Sequence, residues 1–194
     1  MSGQEKVGIL HNQARLGPLP MERIRRVDRP TTRLTETIQR IDMRDTAYGL
    51  AARGEYGPAV QRGVQNSLPG KYPLSAAQKD VIDYLALMPA IPRGSQVAPI
   101  PLEPATLTRH IKSVGYFLKA DVVGTCHVPL SAYYSHDKQG QPVEAPYENA
   151  IVLVMAKDAQ AMRASTGSDW MGDPISFQAY QHLALVTETV ANYV

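Results

Sequence analysis

Residues 106–127, TLTRHIKSVGYFLKADVVGTCH, constrain the fold more than any other stretch. Leu107, Ile111, Val114 and Leu118 recur at spacings of four, three and four, which is one face of a helix. Phe117 widens that stripe, and Thr106 is placed to cap the start. The period then changes. Val122, Val123, Gly124, Thr125, Cys126, His127 and Val128 are β-branched or short, and Pro129 ends the run. Ala120-Asp121 is the tight connection between the two. A helix feeding an apolar strand is a unit of a layered α/β or α+β domain, whose central strands are covered on both faces.

The flanking chain fits that unit. Residues 1–33 are punctuated by glycine and proline and have too few apolar residues for a core, so they read as an extended arm. A helix is expected over 34–50, capped by Thr35, with Ile38, Ile41 and Met43 buried in a narrow stripe. Pro58 opens a second short helix, and the two make a pair that clasps the domain. Ser75 with Gln78 forms a capping-box pattern before Val81, Ile82, Leu85 and Met88. Five prolines (Pro89, Pro92, Pro99, Pro101 and Pro104) then stiffen the connection and set a boundary at residue 104. Residues 1–104 form the arm and 105–194 the α/β unit.

Further on, IVLVMA (151–156) reads as a central strand, and 157–172 as irregular. Asp173-Pro174 opens a helix whose face is Phe177, Tyr180, Leu183, Ala184, Thr187, Val190, Ala191 and Val194. That apolar stripe runs to Val194 without a stop signal, so the unit is expected to continue beyond the chain end.

Composition excludes several classes. Ten of the thirteen arginines fall within residues 1–62, against seven acids, which suits a solvated surface facing an acidic partner. The net charge of +2 and the lack of interleaved aromatics argue against a nucleic-acid partner. No apolar run of membrane-spanning length exists. The one cysteine, Cys126, allows no internal disulfide and no iron–sulfur cluster.

No catalytic residue, cofactor-binding residue or metal ligand can be assigned from motifs. Cys126 and His127 are neighbours in a strand and point to opposite faces, so they form no nucleophile–base pair. Cys126 reads as a small buried residue and His127 as a structural histidine. His110, His136 and His182 show no metal-ligand spacing. Tyr133 and Tyr134 read as aromatic packing beside a loop.

Three stretches carry a resemblance. HIKSVGYFLKADVVGTCHVPLSAYY, VDRPTTRLTETIQRIDMRDTAYGLAARGEYGPAVQR and PYENAIVLVMAKDAQAM are similar to the amino-terminal part of corrinoid (cobalamin)-dependent reductive dehalogenases, in the same order. The resemblance implies a nitroreductase-like layered helix/sheet unit. It also implies an enzyme that uses cobalamin and two [4Fe–4S] clusters to remove halide from halogenated, aromatic compounds. The family's two cysteine-rich cluster motifs and its catalytic tyrosine lie beyond the stretches matched here. The remainder of the dehalogenase chain, a halogenated substrate and a redox donor protein are therefore the expected partners, and no cofactor is expected on this segment alone. No apolar region follows Arg25-Arg26, so the resemblance implies the cytoplasmic, catabolic branch rather than an exported one. Two other classes fit the residues: a stand-alone nitroreductase-like or corrinoid-handling protein, and a non-enzymatic interaction module.

Overall fold

The computed structural model describes residue 28 and residues 37–66, 72–87, 103–167 and 169–194. The helices are α1 (Ala47–Ala52), α2 (Pro58–Asn66), α3 (Pro73–Ala86), α4 (Pro104–Phe117), α5 (Ala159–Ala164) and α6 (Pro174–Tyr193). Two strands, β1 (Val122–His127) and β2 (Asn149–Val154), lie between α4 and α5. The class is α+β. The expected Thr35 cap, Met88 and the proline-rich connection up to residue 102 lie outside the described residues.

The helix-to-strand junction forms as the period change predicts, with a different cap. Glu103, not Thr106, is the N-cap of α4. Its carboxylate accepts from the N–H groups of Ala105 and Thr106 at 3.0 and 2.6 Å. Proline at the first helical position lacks the N–H that would be unpaired there, so Pro104 moves the start three residues upstream. The far end closes with a Schellman pair: Ala120 N–H donates to Gly115 O and Lys119 N–H to Tyr116 O, each at 3.0 Å. That motif needs a left-handed residue, and Lys119 supplies it at φ 71°.

β1 and β2 pair antiparallel, with Val123 opposite Leu153 and Gly124 opposite Val152. Alternation along the strands sends Val123, Ile151 and Leu153 to one face. There they meet Tyr116 and Ala120, and with Met155 they form the core under α4. Tyr116 and Val123 are fully buried, and the Val123 N–H donates to the Tyr116 hydroxyl at 3.3 Å. Phe117 does not extend this stripe. It is 77% exposed, one step around the helix from the core. Nor are the strands covered on both faces: among the described residues the sheet has two strands and one open side.

The amino-terminal helix is shorter than expected. Residues 37–42 are irregular, a 3-10 turn covers Met43–Asp45, and α1 begins at Ala47. Tertiary pairing overrides the helical period here. Ser135 N–H donates to Ile41 O and Met43 N–H to His136 O, so this segment is drawn alongside 135–136. Ile38 and Ile41 consequently stay exposed. Two short helices do pair here, but the first spans Ala47–Ala52 rather than 34–50; Gln61 Nε2 donates to Ala52 O at 3.0 Å between them. Gly54 and Gly57, both at positive φ, make the turn between them.

α3 packs along α6, which also touches α4 and β2. The expected capping box is absent. α3 starts at Pro73, two residues before Ser75, so Ser75 sits inside the first turn, fully buried, and makes no cap. On α6 the buried positions are Pro174, Ile175, Val186 and Val190. Of the face read from the sequence only Val190 is buried, because α6 divides its sides between α3 and the α4–β2 layer. Asp173 precedes the helix as expected but makes no side-chain capping bond. Within 157–172, read as irregular, Asp158 caps the short helix α5 by accepting from the Gln160 and Ala161 N–H groups.

Candidate functional site

The side chains weighed from the sequence are spread across the structure. Cys126 is exposed rather than buried, on the open side of the sheet. A strand position is buried only if its face is covered, and this one is not. His127, on the other face, is also exposed at the strand end. His110 stacks against Tyr193 at 5.6 Å. Among the described residues no group of three or more His, Cys, Asp or Glu side chains could hold a metal ion.

Tyr133 and Tyr134 act through their backbone. Arg40 reaches from the irregular segment and donates to the carbonyls of Tyr133, Tyr134 and Val143. The Tyr133 hydroxyl donates to Tyr147 O at 2.8 Å. A planar guanidinium, with five donors in a rigid fork, suits such a cluster of carbonyls better than the compact ammonium of a lysine. Arg40 thus clamps the loop between β1 and β2.

Beside the clamp, Asp42 accepts from Arg44 three times: from its backbone N–H at 2.8 Å, Nε at 3.0 Å and Nη2 at 2.6 Å. Those bonds hold the Asp42 carboxyl far below the usual aspartate range and raise the Arg44 guanidinium. His136 Nδ1 stands 3.6 Å from the same carboxylate. Arg53 reaches Asp45 and Glu55 at 3.0 and 2.9 Å. Arg40, Arg44 and Arg53 therefore meet the chain's own acids and carbonyls.

A polar cleft opens where α4, β2 and α6 approach. Lys119, Asp121, Asp158, Gln178 and His182 line it. Asp121 Oδ2 accepts from the Ala156 N–H at 2.7 Å, which fixes the chain as it leaves β2. The only sequence signal for this cleft was the Ala120-Asp121 turn.

No family model matches the chain, and no curated protein matches it. Solved structures do. The catabolic reductive dehalogenase NpRdhA matches with a TM-score of 0.75 and 29% identity, covering 90% of this chain and 26% of that one. A structure titled as suggesting a mechanism for B12-dependent dehalogenation matches at 30% identity and TM-score 0.75, with the same coverage. The chain resembles reductive dehalogenases. The similarity read from three stretches of sequence is thus borne out over nearly the whole chain. NpRdhA has also been solved with 3-bromo-4-hydroxybenzoic acid, in a structure matching at 30% identity and TM-score 0.72.

The chain spans about a quarter of the length of the dehalogenases it matches. One cysteine cannot supply the four thiolates of a [4Fe–4S] cluster. Among the described residues no helix is long and apolar enough to cross a membrane.

Proposed function

We propose that this chain is the amino-terminal module of a corrinoid-dependent reductive dehalogenase. The enzyme replaces a carbon–halogen bond with carbon–hydrogen, taking up two electrons and one proton and releasing halide. Cobalamin supplies the cobalt chemistry when bound, and two [4Fe–4S] clusters deliver the electrons. The remaining polypeptide holds both. The substrate is a halogenated aromatic compound, the electron source a redox donor protein, and the compartment the cytoplasm.

One observation carries this reading: 29–30% identity sustained over nine-tenths of the chain, at a TM-score of 0.72–0.75, to part of a much longer enzyme. The α4–β1 junction and the antiparallel β1–β2 pair make up the helix/sheet part of a nitroreductase-like unit, over residues 105–194. Residues 1–104 are its arm, although α3 packs back onto α6. The module's work is structural. Arg40, with the backbone of Ile41 and Met43, fixes the arm to the β1–β2 loop.

The test is the intact mass and absorbance spectrum of the polypeptide that carries this sequence in its natural source. A mass far above 21.3 kDa with a bound corrinoid is expected. A complete protein of 21.3 kDa would overturn the reading.

A further inference from the structure

β1 has a glycine at its third position that nothing among the described residues explains. Gly124 has no left-handed φ, and a Cβ added there meets no atom within 4 Å. Glycine inside a strand gives up packing and costs backbone entropy, so it usually marks a bulge or a close approach by something else. No bulge is present, since the register runs unbroken from Val122–Val154 to His127–Asn149.

Gly124 lies on the side of the sheet opposite the Tyr116–Val123 core. Val122, Cys126, Ala150, Val152 and Val154 share that side. None is charged. Val152 and Val154 are nearly half exposed, and Cys126 is exposed. The result is an apolar face with a gap at Gly124.

We infer that this face docks an apolar helix from the remainder of the dehalogenase polypeptide, with one large side chain seated over Gly124. The inference rests on the module reading above. The source of the occupant follows from length: in the matched enzymes about three-quarters of the polypeptide lies outside this segment. An uncharged face selects an apolar segment over an acidic or basic one. A second copy centred on the patch would set Gly124 against Gly124 and leave the gap unfilled, which close packing disfavours.

Cys126 provides the probe, being the single cysteine of these residues. The natural polypeptide is pulsed with N-ethylmaleimide, and the Cys126 peptide is quantified by mass spectrometry against a urea-unfolded control. Cys126 in the native polypeptide is expected to label slower by about a hundredfold or more. Gly124→Leu, whose Cβ meets no described atom within 4 Å, is expected to restore labelling to within about threefold of the unfolded rate. Gly124→Ala, which fills less of the gap, keeps most of the protection and guards against a variant that merely misfolds.

Rapid native labelling in a polypeptide much longer than 194 residues would overturn the docking inference and leave the module reading standing. Protection that vanishes on dilution would overturn it in favour of a second copy. An intact mass of 21.3 kDa would remove both inference and reading.

Discussion

Gly115→Ala pits helix propensity against packing, and the structure decides the sign. In an exposed helix interior this exchange stabilises by about 1 kcal/mol. Gly115, however, faces β1. An added Cβ would stand 2.7 Å from Val123 Cγ2, 3.1 Å from its Cγ1 and 3.2 Å from Leu153 Cδ2. Leu153 can shift, but Val123 is fully buried and its branched side chain has little rotamer freedom. Overpacking of this kind costs about 1–3 kcal/mol. At 2.7 Å from a fully buried side chain the upper part of that range, about 2–3 kcal/mol, applies. With the helix gain of about 1 kcal/mol set against it, a net loss of about 1–2 kcal/mol is expected. Gly63 in α2 is the matched control. A Cβ there meets nothing within 4 Å, so Gly63→Ala should stabilise by about 0.5–1 kcal/mol. Urea titration followed by circular dichroism reads both, and Gly115→Ala should lower the midpoint by about 0.5–1 M. If Gly115→Ala raised the midpoint as Gly63→Ala does, the close α4–β1 contact would be refuted.

Three other perturbations follow from the same geometry. Lys119→Gly removes a side chain from a left-handed position and should stabilise by about 0.5–1 kcal/mol in the same titration, whereas a loss would show that Lys119 holds the cleft together. Arg40→Ala frees three carbonyls, so hydrogen exchange at Ser135 and Val143 should accelerate by about tenfold or more, and unchanged exchange would discount the clamp. Asp42 titrates well below its ordinary value in the folded chain, so its contribution is complete above about pH 4 and is lost as acid protonates the folded carboxylate. Wild type should therefore lose more stability than Asp42→Asn as pH falls from about 5 to 2, and parallel curves would contradict the Arg44 bonds.

The parts of the fold legible in sequence were those governed by local period. The change from a helical to a strand pattern between Leu118 and Val122 located α4 and β1, and the Gly57-Pro58 step located the turn into α2. Features set by distant partners were not legible. Residues 37–42 carry a helical period but pair with 135–136, some 94 positions away. Thr106 and Ser75 are good capping types, yet Glu103 caps α4 and Pro73 opens α3 ahead of Ser75. Proline at the first helical position was a stronger start signal than either. Cys126 followed the rule that small apolar residues in strands are buried, and that rule assumes both faces are covered. Arg40 looked like one more surface arginine, because carbonyl acceptors in a loop leave no trace in composition. The polar cleft gathers Lys119 and Asp121, Asp158, and His182 from three places in the chain, so no spacing could reveal it.

The account stands on the chain being part of an enzyme that cleaves carbon–halogen bonds. Halide release tests that most directly. The natural polypeptide, loaded with the proposed cobalamin and iron–sulfur clusters and supplied with a low-potential reductant, is incubated with a halogenated phenol, and free halide is measured by ion chromatography. One halide released per two electrons consumed, matched by the dehalogenated product, is the predicted result. A loaded and reduced polypeptide that releases no halide from any of a panel of halogenated aromatics would contradict it.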